Sequence, residues 1–289
     1  MNYTKITSIS NPKIKQALDI KNKRSKYRHN AFIIEGPNLI EMALASGYQI
    51  EEIFFTSKFS SRKDGQGLLR QLAKKSVEIN PPSPPFSKGV GGGFSGEIFE
   101  VTEQILNKLS DTETSQGIIA IASYKPKSLA EISFRSIPLI VIADGIQDPG
   151  NLGTIIRTSD AAGVDAVIIL TGTCDLFMQK TLRATAGSIF NIPIVFAGAD
   201  ELIEWLKTKK IGLIATTLNT KISIFDSNLK KPLAFVFGSE AHGVSNVIKK
   251  NADLTLKIPI LGKAESLNVS SAASVCLYEA VRQRISVSG

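Results

Sequence analysis

The feature that most narrows what this chain can fold into is a series of six short, almost wholly apolar segments in its second half. They are PLIVIADG, AVIIL, IPIVFA, GLIATTL, LAFVFG and LTLKIPI, beginning at Pro138, Ala166, Ile192, Gly212, Leu233 and Leu254. Strands apolar on both faces belong to parallel sheets covered by helices on both sides. The intervening sequence supplies them, with helices expected around residues 151–162, 178–188, 200–210 and 244–251. A last helix, LNVSSAASVCLYEAVRQR, puts Val269, Ala272, Ala273, Cys276, Leu277, Ala280 and Val281 on one stripe, which makes Cys276 a packing residue and not a nucleophile. Cys174 has no His or Asp partner placed to activate it.

The first half alternates differently. Asn11 before Pro12 reads as an N-cap and first helical residue, with Ile14, Ala17 and Leu18 as a short apolar stripe. FIIEG, PNLIEMALASG, IEEIFFTS and GLLRQLAKKS then read as strand, helix, strand, helix, and EIFEVTEQILNKLSDTETSQGIIAIAS as strand, helix, strand. This is a second, smaller α/β layer. Between them, residues 80–96, NPPSPPFSKGVGGGFSG, hold four prolines and five glycines and read as a flexible insertion. Gly91, Gly93 and Gly96 form a GxGxxG there, but no strand precedes it and no helix follows, so it is not a dinucleotide site. The expected organisation is a basic N-terminal helix or arm over 1–30, a small domain over 31–124, a linker over 125–136 and a larger domain over 137–289.

Composition excludes several classes. With 289 residues, 43% hydrophobic and 21% charged, the chain is a globular one of about two domains. Its longest apolar runs fall short of the ~20 residues of a membrane span, and MNYTKITSISNPKIKQ has no apolar core of a secretory signal. Two cysteines fit a reducing compartment, so the cytoplasm is the expected location, and with only His29 and His242 no metal site is expected. The net charge of +8 is concentrated: residues 1–30 hold eight basic residues and one acid, Asp19. Such a segment, KNKRSKYRHN with Tyr27 interleaved, suits a polyanion; a solvated helix face is the alternative.

Three segments place glycines, amides and single charges just after apolar strands, where open parallel sheets bind ligands. In DPGNLGTIIRTSDAAG, PGN forms a turn, Asn151 is placed to cap the helix, Leu152, Ile155, Ile156 and Ser159 share a face, and Arg157 projects away from it. In FGSEAHGVS, Gly238 and Gly243 permit close backbone approach and Glu240 supplies a carboxylate. In IPILGKAESLNVSSAASVCLYEA, Ser266, Asn268 and Ser270 cluster at a helix N-terminus. Singly, each has a plain reading: Asn151 and Ser266 as caps, Glu240 as a lysine partner, His242 as a loop-orienting group.

In this order the three segments resemble the motifs of the SpoU (TrmH-like) family of RNA 2′-O-ribose methyltransferases, within the SPOUT superfamily, over about residues 137–285. FIIEGPNLIEMAL is similar to the start of the small RNA-binding domain of the family's ribosomal RNA members. The resemblance implies a deep trefoil knot, S-adenosylmethionine as cofactor, a homodimer paired through the region of Ser270, Ser271, Ala272, Ala273 and Ser274, and RNA, preferably 23S ribosomal RNA, as substrate. It implies catalytic roles for Asn151, Arg157, Glu240, Ser266 and Asn268, and cofactor contacts, largely through backbone, at Gly238, Ile258 and Leu267, with Thr217 and Leu218 lining the same pocket. Ala241 departs from the glycine that many members carry after the glutamate, and its methyl is expected to narrow that loop. Arg157 stays protonated, so a two-pronged grip on a phosphate or on developing negative charge suits it better than the role of base. Glu240 is then free to orient Arg157 or to accept the proton. A catalytically silent RNA-binding or ribosome-assembly protein, a transfer RNA methyltransferase and an α/β enzyme acting on a small molecule are the competing readings; the last leaves the basic segment unexplained.

Overall fold

The computed structural model describes residues 3–22, 30–78, 94–112 and 114–285. The chain divides into two compact units, Met1–Lys125 and Pro126–Gly289.

The first unit is built on a five-stranded mixed sheet. Its strands are β1 (Thr4–Ile6), β2 (Ala31–Glu35), β3 (Ile50–Phe55), β4 (Phe94–Val101) and β5 (Ile118–Ser123), in the spatial order β1-β4-β3-β5-β2. β4 runs parallel to β1 and β3, and β5 runs antiparallel to β2 and β3. The helices are α1 (Pro12–Lys21), α2 (Pro37–Ala45), the single turn α3 (Ser57–Ser60), α4 (Lys63–Glu78) and α5 (Glu103–Leu109). Asn11 caps α1 as its sequence signals, its side chain accepting the Lys13 N–H at 2.9 Å.

Two expectations are corrected here. The expected basic helix is present as α1, but over its described part the segment is packed into the unit and is not a free polyanion-binding arm. β1 pairs with β4, and Ile14, Ala17 and Ile20 of α1 are buried in one core with Phe54, Phe99 and Leu106. Three of its four described basic residues are ion-paired within the unit: Lys5 with Glu100 at 3.3 Å, Lys13 with Glu52 at 2.7 Å and Glu97 at 2.5 Å, and Lys21 with Asp111 at 3.0 Å. The carboxylates hold the Lys13 ammonium above its usual range. Counting charge along the sequence overstates what this segment offers a polyanion, because its neutralising acids come from elsewhere in the chain. Residues 23–29, with Lys23, Arg24, Lys26 and Arg28, lie outside the described residues.

The second correction concerns the Pro/Gly-rich segment. Residues 80–93 lie outside the described residues, but Phe94, Ser95 and Gly96 belong to β4, so the insertion ends earlier than composition indicates. The β3–β4 register shifts between Ile50 and Glu52, and a Cβ at Gly96 would lie 1.7 Å from the Glu51 carbonyl oxygen. Gly96 is a bulge residue, where a strand tolerates glycine alone.

The second unit is an all-parallel six-stranded sheet of β6 (Leu139–Asp144), β7 (Ala166–Leu170), β8 (Ile194–Ala197), β9 (Gly212–Thr216), β10 (Leu233–Gly238) and β11 (Leu254–Leu256). Its helices are α6 (Pro149–Ala161), α7 (Gln179–Thr185), α8 (Ala199–Lys209), α9 (Asn246–Asn251) and α10 (Val269–Ile285). The spatial order is β11-β9-β10-β6-β7-β8. The chain thus builds outward from β6 to β8, crosses to β9, and returns to insert β10 between β9 and β6. That reversal is a topological switch point, and the loops after β6, β9, β10 and β11 all leave the sheet on its carboxyl side there.

The expected linker over 125–136 packs on this unit and does not hang between domains. Lys127 bridges to Val195, Leu129 and Ile132 are buried, and the Phe134 ring lies 6.2 Å from that of Trp205. Along α10, Ala273, Cys276, Leu277 and Ala280 are buried as the stripe requires, joined by Ser270 and Glu279, while Val269, Ala272 and Val281 are half-buried. Its last turn is clamped: Arg284 donates to the carbonyls of Leu229, Ile137, Pro138 and Lys231 at 2.8–3.1 Å.

The packing of α1 yields a test. Ile14 is fully buried, so Ile14→Ala should cost about 2–5 kcal/mol. Urea unfolding measures it, and an unchanged midpoint would show that α1 does not contribute to the fold of the unit.

Candidate functional site

The loops at the switch point enclose a cavity of about 580 Å³. Its walls include Thr216, Thr217 and Leu218 after β9, Gly238, Glu240 and Gly243 after β10, Ile258 after β11, and Ser266, Leu267 and Asn268 leading into α10. Every position implied as a cofactor contact is therefore on one cavity. The size lies within the ~300–1,000 Å³ of pockets that bury a small ligand.

Glycine is required where the second loop turns back. Ser239 and Gly243 exchange backbone hydrogen bonds at 3.1 and 2.8 Å, and Gly243 has φ +66°. A Cβ on Gly238 would fall 2.1 Å from the Gly243 carbonyl carbon and the Val244 nitrogen, so any side chain there would push the loop off the strand end. Ala241, by contrast, is exposed, has no positive φ and does not line the cavity. Its methyl does not narrow the loop, contrary to expectation, because the only left-handed position in that turn is Gly243.

Beside the cavity, side chains from all three loops form one hydrogen-bonded chain. Asn268 Oδ1 accepts from the Ser270 N–H at 2.9 Å, from the Ser270 hydroxyl at 2.6 Å and from the Ser271 N–H at 3.4 Å. With its oxygen so engaged at the start of α10, Asn268 has only its amide to offer, and Nδ2 donates to Asn151 Oδ1 at 3.0 Å. Asn151 Nδ2 in turn donates to Glu240 Oε1 at 2.6 Å, and the Gln147 N–H reaches Glu240 Oε2 at 3.3 Å. Burial alone would raise the Glu240 carboxyl, but the Asn151 amide and the backbone N–H groups of Glu240, Gln147 and Asp148 outweigh it and hold the group below its usual range.

Two cap assignments change. Asp148, not Asn151, caps α6: its side chain accepts the Asn151 N–H at 3.0 Å, and Lys180 pairs with it at 2.6 Å. The Lys180 ammonium, with that N–H, holds the Asp148 carboxyl below its usual range. Asp148–Pro149 is the same cap-and-proline pattern as Asn11–Pro12, concealed in the sequence by the turn-like PGN that follows. At α10 the capping side chain is Asn268, not Ser266, which lines the cavity outside the hydrogen-bonded chain. Glu240 binds an amide and not a lysine.

Arg157 is exposed on α6, apart from both the hydrogen-bonded chain and the cavity wall, so the structure does not bring it onto Glu240. Composition gave no hint of two further positioning groups. Gln147 staples the loop after β6 to the one after β7, donating to the Gly145 and Gly172 carbonyls at 2.9 and 2.7 Å. Buried Asp144 accepts the Ser245 N–H at 2.7 Å and anchors the far end of the Glu240 loop. Cys174 is inert as a nucleophile: burial, then the charges of Asp148, Asp175 and Glu240, push its thiol up to about 11. Cys276 is pushed to about 12 by burial. Among the described residues, no group of His, Cys, Asp or Glu is arranged to hold a metal ion, and no helix is long and apolar enough to cross a membrane.

A parallel sheet whose switch point carries a small-ligand cavity beside an amide–carboxylate chain, with glycine backbone forming part of its wall, is the arrangement of an α/β ligand-binding enzyme. Comparison with known proteins places it among the SpoU methyltransferases. Solved structures agree. The S-adenosylmethionine-bound ribosomal RNA methyltransferase of Sinorhizobium meliloti superposes with a TM-score of 0.82 at 29% identity, covering 97% of this chain and 98% of that one. AviRb of Streptomyces viridochromogenes, a SpoU methyltransferase in complex with the same cofactor, also gives 0.82, at 27% identity over 96% and 99%. The chain belongs to the SpoU rRNA methylase family, whose model matches residues 138–278, and an MRM3-like substrate binding domain matches residues 11–120. The 23S rRNA (guanosine(2553)-2′-O)-methyltransferase RlmP of Bacillus subtilis is 34% identical over 94% of this chain and 97% of its own length. The 23S rRNA (uridine(2479)-2′-O)-methyltransferase of Streptomyces viridochromogenes is 28% identical over 92% and 87%.

The hydrogen-bonded chain makes a titration prediction. In Asn151→Ala the burial of Glu240 is no longer offset by the amide, so its carboxyl should titrate at higher pH, read by carbon NMR of the side chain. A depressed carboxyl adds stability above its unfolded pKa that is lost as pH falls through the folded value, so the variant should also lose stability at less acidic pH than the parent. An unmoved midpoint would assign the depression to the backbone N–H groups.

Proposed function

We propose that this chain methylates a ribose 2′-hydroxyl of RNA with S-adenosylmethionine, and that its substrate is 23S ribosomal RNA. The observation that carries the reading is the cavity at the switch point with Glu240 and Asn268 in its wall and Asn151 bonded to both. The residues fit the cofactor: apolar Leu218, Ile258 and Leu267 suit a purine ring, and the absence of a side chain at Gly238 lets the folded-back loop present backbone groups. When bound there, the cofactor supplies an electrophilic methyl on a sulfonium. Relatives of nearly the same length name different nucleotides of 23S ribosomal RNA, which supports the RNA class and leaves the position to experiment.

The protein's own contribution is placement and charge. Asn151, Asn268 and Glu240 set the relative positions of the three loops before substrate arrives, which is where alignment lowers a transfer barrier. Glu240, depressed and engaged at both oxygens, is a poor proton acceptor and acts as a positioning group. Arg157, exposed and cationic, grips the phosphate beside the target ribose or the oxygen as it gains charge. The family's trefoil knot is the proposed means by which the last helix is held against the cavity, and the cytoplasm is the proposed location.

The test is labelled S-adenosylmethionine with unmodified ribosomal RNA followed by alkaline hydrolysis, which a 2′-O-methyl blocks at its own position. One resistant site is expected; no incorporated label would refute the reading. Arg157→Ala should change stability by no more than about 0.5 kcal/mol, as for other exposed sites, and slow transfer by roughly 10²-fold or more. Near-normal turnover would remove Arg157 from the reacting centre.

The assembly proposed is a two-fold homodimer. Leu218, Ile222, Phe225 and Leu261, on the loops after β9 and β11, and Tyr278 on α10 are large apolar side chains left exposed in the single chain, Leu261 almost completely. Sedimentation at micromolar concentration should show a dimer; a monomer would sink the proposal.

A further inference from the structure

The first unit holds a second cavity, of about 250 Å³, lined by Thr56, Lys58, Phe59, Arg62, Glu103, Asn107, Thr114, Ser115, Gln116 and Gly117. It gathers the ends of three separate stretches: the turn after β3, helix α5 and the loop leading into β5. Its floor is rigid. Phe59 is buried, a Cβ on Gly117 would lie 2.9 Å from the Phe59 Cβ, and Gly117 has φ +87°, so the loop lies as close to that ring as glycine allows. Arg62 is held over the same ring, 5.5 Å from its centre, while Asp64 grips the guanidinium with two hydrogen bonds. A guanidinium so fixed is a flat, preorganised stacking surface.

The polar groups at the mouth include carboxamides and a lysine. Asn107 and Gln116 are exposed carboxamides, each with two donors and an acceptor, and Gln116 lies against Gly36, where a Cβ would come within 2.5 Å of its Oε1. Lys58 adds an exposed cation. Carboxamides that read an edge, a cationic plane that stacks a face and a lysine within reach of a phosphate together match an unpaired nucleotide. The volume is less than the ~300 Å³ from which whole-ligand pockets begin, which suits a single base more than a cofactor.

We propose that this cavity takes one unpaired base of the RNA substrate, stacked at Arg62 and read at its edge by Asn107 and Gln116. The inference rests on the chain acting on RNA and adds the site through which the first unit holds it. It separates from simple phosphate attraction because it requires a base and not only a backbone.

The experiment uses the full chain and two RNA oligomers of equal length, one of adenylates and one with abasic riboses, at fixed salt. The parent protein should bind the base-bearing oligomer about 10-fold or more tightly than the abasic one, the scale of one stacked base. In Asn107→Ala/Gln116→Ala, both exposed positions, that ratio should fall to what stacking at Arg62 alone supplies, while the abasic affinity stays put. Equal binding of the two oligomers by the parent would overturn the proposal, as would a variant that weakens both equally, which would place these residues on the backbone. In ribosomal RNA methylation the variant should raise KM for RNA and leave cofactor affinity unchanged. A protein that shows the base-dependent ratio but transfers no methyl would refute the transferase reading and leave this one standing.

Discussion

The arrangement of the catalytic unit depends on a single helix cap. Asn268 must give its side-chain oxygen to the first amides of α10, because helix N-termini leave donors that nothing else in this loop satisfies. That requirement orients the whole chain of groups. The Asn268 amide faces Asn151, Asn151 presents its own amide to Glu240, and Glu240 has to be an ionised acceptor. A cap that stabilises one helix therefore also orients the Asn151 amide that bonds Glu240. Removing any member leaves a neighbouring donor or acceptor without its partner.

The constraint works because the strand order brings those loops together. β10 enters between β6 and β9, so the loops bearing Asn151 and Glu240 leave adjacent strands, and Asp144 at the end of β6 reaches across to the Ser245 amide. At the opposite end of the sheet Arg284 ties the last turn of α10 to four carbonyls at the starts of β6 and β10. Half-buried and drawn down by desolvation, its guanidinium serves packing and not RNA. The helix that carries Asn268 is fixed at both ends, one by its cap and one by its clamp, and the cavity wall it supplies is correspondingly fixed.

Much of this was legible in the sequence, for identifiable reasons. Six apolar runs specify buried parallel strands because no other common element buries both faces of so short a segment. The three glycine- and amide-rich loops stand out because they follow those strands. What was illegible depends on partners distant in sequence. The N-terminal lysines look free until Glu52, Glu97, Glu100 and Asp111 are folded against them. Gly96 looks like linker until the Glu51 carbonyl is seen where its side chain would be. Asp148 was readable by the rule that found Asn11, but the turn-like residues after it gave the segment a second plausible meaning.

The two cavities divide the energetic work in a way their chemistry dictates. The one beside Glu240 combines apolar side chains such as Leu218, Ile258 and Leu267 with polar ones such as Glu240 and Asn268, suited to a ligand of fixed shape. The one beside Phe59 offers exposed amides and a braced cation, suited to a flexible polymer that must be held while chemistry occurs elsewhere. Binding energy gathered at a remote part of a substrate accelerates reaction only when it is used to restrict the reacting group. A ribose hydroxyl is a weak nucleophile with little handle of its own, so its positioning has to come from neighbouring nucleotides. Hence the grip of the first unit on the RNA contributes to the rate only so far as it restricts the target ribose.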